Sequence, residues 1–156
     1  MHHDDARVDE LGTLPMFRDC TPRQLRVLAG VLTPVSVEPG RVLCREGESG
    51  REACVIVTGE ADVSIDGISI AALGAGSFCG EMAVLDGDRR CATVTARTPM
   101  TLYSVDARAL RSLATEIPTV AMRVASVLSA RLRIANRREP VAWRRGGRTP
   151  VLRATR

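Results

Sequence analysis

The chain has 156 residues, 45 % apolar but only 3 % aromatic, which suits one domain whose core is built from Val, Leu, Ile and Ala. Its net charge of +4 comes from Arg alone among the strong bases and is unevenly spread: 13 Arg face 17 acids up to residue 130, then nine Arg face Glu139. Apolar runs break well short of the ~20 residues a spanning helix needs, and the acidic start lacks an apolar leader, so the expectation is a cytoplasmic protein without a membrane segment.

The first elements are helical. Val8, Leu11 and Leu14 share a helical spacing that predicts a short helix over residues 4–13, and Pro15-Met16-Phe17 reads as a tight turn with Phe17 packed inward. Thr21-Pro22-Arg23-Gln24 is a strong helix start, with Thr21 as N-cap, Pro22 in the first turn and Gln24 closing a capping box. That helix turns Leu25, Leu28 and Ala29 toward a core and ends near Gly30 or Val31, completing an N-terminal helical segment over residues 1–31.

From residue 32 to 105 the pattern changes to short β-branched strands punctuated by glycine, the signature of an antiparallel barrel or sandwich. Asp66-Gly67 between Val63-Ser64-Ile65 and Ile68-Ser69-Ile70 predicts a tight hairpin. Asp106 then caps a helix over residues 107–114, with Leu110 and Leu113 inward. Pro118 opens a longer helix to about Asn136, whose apolar face runs through Ala121, Val124, Ala125, Leu128, Leu132 and Ala135. Val120, Val127 and Ile134 widen that face. Residues 137–156 read as an unfolded basic tail.

Ser77–Ala96, SFCGEMAVLDGDRRCATVTA, carries the densest chemistry. Gly80 and Glu81 open a helix-prone stretch, Glu81-Met82-Ala83-Val84-Leu85, and Arg90 stands nine residues beyond Glu81. Backbone N–H groups at such a helix start favour an anion, and a glycine lets the main chain approach it. A guanidinium fork matches phosphate oxygens, and a carboxylate accepts hydrogen bonds from a ribose hydroxyl. Phosphate plus ribose hydroxyl means a nucleotide. Each residue also has a plainer reading: Glu81 as a helix-start acid, Arg90 as a surface cation beside Asp86 or Asp88, although Arg89 suits that role better.

The segment resembles the phosphate-binding cassette of cyclic nucleotide-binding domains, F-G-E-[LIM]-A-L followed after a spacer by R-[STA]-A-[ST]-[VI]. Here the matching residues are Gly80-Glu81-Met82-Ala83-Val84-Leu85 and Arg90-Cys91-Ala92-Thr93-Val94. Upstream, Pro39-Gly40 with Gly47-Glu48-Ser49-Gly50, and the stretch from Val55 to Val63 around Gly59, are similar to the family's strands. The likeness spans roughly residues 11–137. It implies an α+β, mainly β fold: a β-roll or jelly-roll barrel over 32–105 with its cassette at 78–94, flanked by N-terminal helices and by two C-terminal helices over 106–136. It also implies binding rather than catalysis. No Ser-His-Asp grouping, carboxylate pair or metal cluster is visible, the histidines being His2 and His3.

On this resemblance a cyclic mononucleotide, cAMP with cGMP as the alternative, sets its phosphate on Arg90 and the 81–83 backbone and its ribose on Glu81. Val84 and Leu85 line the wall, and Arg123, Ser126 and Ser129 are candidates to touch the base. Cys91 departs from the family's Ser, Thr or Ala; its weak donor favours adenine over guanine, and a buried inert thiol is favoured over a redox-active one. Gly50-Arg51 and Ala53-Cys54 depart as well. Five cysteines, odd in number and without C-x-x-C, read as reduced thiols. The mechanism implied is a stand-alone sensor, or a fragment of something longer, whose 107–136 helices shift on binding and signal to an unknown protein effector, with a homodimer through 118–136. Three rivals are weighed: a degenerate docking module that binds no nucleotide, weak nucleic-acid contact through 137–156, and an enzyme, disfavoured for want of any catalytic grouping.

Overall fold

The computed structural model describes residues 2–81 and 87–138. Helix α1 spans His2–Thr13 and α2 spans Pro22–Val31, joined through a 3-10 turn at Pro15–Phe17. The Thr21 capping box forms on both sides, Thr21 Oγ1 accepting from the Gln24 amide and Gln24 Oε1 from the Thr21 amide. Met16, Phe17, Leu28 and Ala29 are buried and Leu25 half-buried, so the inward face is the one the spacing predicts.

Among the described residues eight antiparallel strands follow: β1 Thr33–Val37, β2 Val42–Cys44, β3 Glu52–Thr58, β4 Ala61–Ile65, β5 Ile68–Leu73, β6 Phe78–Cys79, β7 Thr93–Ala96 and β8 Met100–Asp106. They form two four-stranded sheets, ordered β1-β8-β3-β6 and β2-β7-β4-β5. Asp66 and Gly67, both at positive φ, make the β4–β5 turn. The core between the sheets is aliphatic, as the composition requires: Val37, Ile56, Ala61, Val94, Ala96, Met100 and Leu102 pack with Cys54 and Cys79. Helix α1 is tied to this body by Arg7, which donates to the Leu32 carbonyl at 2.6 Å and lies 5.8 Å over the Tyr103 ring. Tyr103 in turn donates its hydroxyl proton to Glu10.

Helix α3, Ala107–Glu116, is capped by Asp106, whose carboxylate accepts from the Ala109 amide at 2.8 Å. Leu110 and Leu113 are buried as the spacing predicts. Helix α4 runs Pro118–Arg138, two residues beyond the expected end, so residues 137 and 138 are helix and not the start of a tail; residues 139–156 lie outside the described ones. The chain divides into two compact units at residue 121/122. Within the second, Ala125, Leu132 and Ala135 of the expected apolar face are exposed, whereas Val124 is buried and Leu128 half-buried. Apolar periodicity predicts burial only where another element covers the face. Among the described residues no helix is long and apolar enough to cross a membrane.

Candidate functional site

The site begins where β6 ends. Phe78 and Cys79 are buried and pair with Val55 and Cys54 of β3, which fixes the direction in which the chain leaves the sheet. Gly80 follows at φ +82°, a conformation side chains other than glycine rarely adopt. The space is also taken: a Cβ at position 80 would collide with the Arg90 guanidinium and stand 2.8 Å from the Glu52 carbonyl oxygen. Glycine is needed here for two independent reasons.

Glu81 comes next, with helical backbone and only 2 % exposure. It is the one buried acid among the described residues. Burying a carboxylate costs several kcal/mol unless its surroundings compensate, and such groups concentrate at functional sites. Met82, Ala83, Val84 and Leu85, expected to complete the turn and the pocket wall, lie outside the described residues.

Arg90 is positioned from the far side of the cassette. Its amide donates to the Glu48 carbonyl at 2.8 Å, and its carbonyl accepts from the Gly47 amide at 2.9 Å, so the 47–48 turn clamps its backbone. The side chain then reaches across: Nη1 donates to the Gly80 carbonyl at 3.0 Å and Nη2 to the Glu52 carbonyl at 2.6 Å. Arg89 instead takes the surface role, its guanidinium donating to the Gly47 carbonyl at 2.8 Å. The guanidinium of Arg90 thus rests on neutral main-chain oxygens, leaving its charge uncompensated by a carboxylate in these two contacts.

Gly80 and Arg90 open onto a cavity of about 180 Å³ between the sheets, walled by β1, β2, β3 and β8. Its wall includes Arg41, Glu52 and three thiols, Cys44, Cys54 and Cys79, none of which the sequence marked as pocket residues. Glu81 is not among its described walls, so the expected carboxylate lies buried beside the cavity and not in its lining. Burial pushes the Cys44 thiol up from 9.0 to about 11. The hydrogen bond to Cys54, then burial, push Cys79 well above its ordinary range.

The remaining candidates are less concentrated. Ala92 is buried. Cys91, expected as a buried strand thiol, is instead exposed, because β7 starts only at Thr93. Arg123, Ser126 and Ser129 fall on α4 in the second unit, Arg123 half-buried and both serines exposed.

With this geometry in place, the comparisons decide the family. The cyclic nucleotide-binding domain model matches residues 34–116. The chain belongs to the cyclic nucleotide-binding domain family. Over 110 residues it is 38 % identical to a cyclic nucleotide-gated potassium channel of Rhizobium etli, a match covering 69 % of this chain and 31 % of the channel. The chain therefore spans less than a third of the curated relatives it matches. A cyclic nucleotide-binding domain from Methylobacillus flagellatus KT superposes with a TM-score of 0.73 at 26 % identity, covering 88 % of this chain and 83 % of that one. The structure of PKAR CBD2 bound to Sp-2Cl-cAMPS gives a TM-score of 0.72 at 23 % identity, covering 85 % and 91 %, and shares the fold. The β-rich domain with helices at both ends that the resemblance implied is the observed architecture.

Proposed function

We propose that this domain binds cAMP and passes the occupied state to a partner protein through the helices that follow β8. One observation carries this reading: the Arg90 guanidinium sits at the cavity wall on two neutral carbonyl oxygens, directly against the left-handed Gly80 and one residue from the buried Glu81. A phosphate offers that guanidinium an opposite charge and a bidentate geometry that the two neutral carbonyls lack. The ligand phosphate accordingly displaces one or both carbonyls. Glu81 turns its carboxylate to the ribose 2′-hydroxyl. The exposed thiol at Cys91 supplies no strong donor, which favours adenine over guanine.

The experiment is calorimetric titration of the full chain with cAMP, cGMP, AMP and c-di-GMP. Selective binding of one cyclic mononucleotide, lost in Glu81→Ala and in Arg90→Ala, is the expected result; near-normal affinity in both variants removes the pocket from the account. The cavity's size supports a second reading. At about 180 Å³ it is smaller than the roughly 300–1,000 Å³ of most small-molecule sites, as a docking module that takes no nucleotide would be. The absence of heat with all four nucleotides selects that reading.

A further inference from the structure

Two of the cavity's three thiols face each other. Cys54 of β3 and Cys79 of β6 are direct cross-strand partners, and their Sγ atoms are 2.6 Å apart as free thiols. Residues directly opposite in an antiparallel ladder have Cα atoms about 4.5–5.5 Å apart. That lies inside the roughly 4.4–6.8 Å that a disulfide spans. Register alone therefore places this pair where a bond can form without moving either strand. The other cysteines are placed differently: Cys44 donates to the Ala92 carbonyl at 3.7 Å, Cys91 is exposed beyond the sheet, and Cys20 follows the 3-10 turn.

Both sulfurs are buried, yet both line the cavity, so a small oxidant reaches them from within it. We propose that Cys54 and Cys79 form an oxidative modification site, closed to an intramolecular disulfide by a peroxide. In the first step the sulfur of one cysteine attacks a peroxide oxygen, the O–O bond breaks, and a sulfenic acid forms with release of water. In the second, the other sulfur attacks the sulfenic sulfur, the S–OH bond breaks, and a second water leaves with the thiol proton. Overall two thiols are oxidised and one hydrogen peroxide is reduced to two waters.

The bond ties β6, a two-residue strand, to the seven-residue β3 immediately before Gly80. It would thus fasten the chain at the entrance to the cassette. This inference stands apart from the nucleotide reading, since its readout is covalent.

The test treats the reduced full chain with increasing hydrogen peroxide, blocks remaining thiols with N-ethylmaleimide under denaturing conditions, and maps the peptides by mass spectrometry. The expected product is a monomer lighter by two hydrogens, with the Cys54 and Cys79 peptides joined and released by dithiothreitol. Cys44→Ala should keep that linkage, and Cys54→Ser should abolish the crosslink. Both Cys54 and Cys79 carrying maleimide after Cys91 has been oxidised overturns the proposal, as does a crosslink from either to Cys44. The wild-type map decides the matter even if a variant fails to fold.

Discussion

Two glycines, Gly59 and Gly80, share a backbone signature and differ in what surrounds them. Both lie in the left-handed region, at φ +93° and +82°, and neither has room for a Cβ. At Gly59, in the β3–β4 turn, the obstruction is the Pro99 carbonyl oxygen and Met100, whose Cγ is 2.7 Å from the would-be Cβ. At Gly80 it is the tip of Arg90 and the Glu52 carbonyl. The first is a packing constraint between two connections that cross from one sheet to the other. The second holds a cation at the mouth of a cavity. A tight glycine alone therefore says nothing of function; the chemistry of the atom that crowds it does.

The comparison breaks most severely at Arg90. Replacing it with Ala removes both charge-assisted contacts to a phosphate, about 3 kcal/mol at the upper end of such bonds, and should cost roughly 100-fold in cAMP affinity by calorimetry. Gly59→Ala should act on stability instead. Strain at positive φ plus a clash with main-chain atoms that cannot yield predicts a loss of about 2 kcal/mol in urea unfolding, with nucleotide affinity of the folded protein unchanged. Equal loss of affinity in that variant would erase the distinction between the two turns.

Gly80→Ala should fall between them. The flexible end of Arg90 can move aside but the Glu52 carbonyl, 2.8 Å from the added Cβ, cannot, so a stability loss of about 2 kcal/mol accompanies roughly tenfold weaker binding as the guanidinium is displaced. The smallest effect is a titration. In the folded chain burial holds Cys44 protonated up to about 11, whereas the unfolded thiol releases its proton near 9.0. Above pH 9.0 the unfolded state then binds fewer protons, so stability is intact below that pH and declines as pH rises toward 11. Cys44→Ala should shallow this alkaline decline in thermal unfolding; an unaltered slope would place the titrating group elsewhere.

Local chemistry was legible in the sequence wherever the signal is short in range. The Thr21–Gln24 capping box, the Asp66-Gly67 turn and the Asp106 cap each depend on residues within four positions of one another, and all three form. The motif residues Gly80, Glu81 and Arg90 could be named for the same reason. What brings them together could not. Arg90 is held by main-chain atoms of residues 47, 48, 52 and 80, and a carbonyl oxygen leaves no mark on residue identity. The Cys54–Cys79 pairing requires the register of strands 25 residues apart. Cys91 was misplaced because a β-branched run shows that a strand exists without showing where it starts. The apolar stripe of α4 is legible as periodicity, which does not say what covers it.

The resting place of Arg90 has a consequence for how this domain tolerates change. Its two acceptors are peptide oxygens, so substituting the Glu52 side chain leaves that berth standing as long as β3 keeps its path. A saturation scan of this neighbourhood should therefore find position 52 permissive beside the intolerant Gly80, Glu81 and Arg90. The lock is written in the backbone and only the key in the sequence.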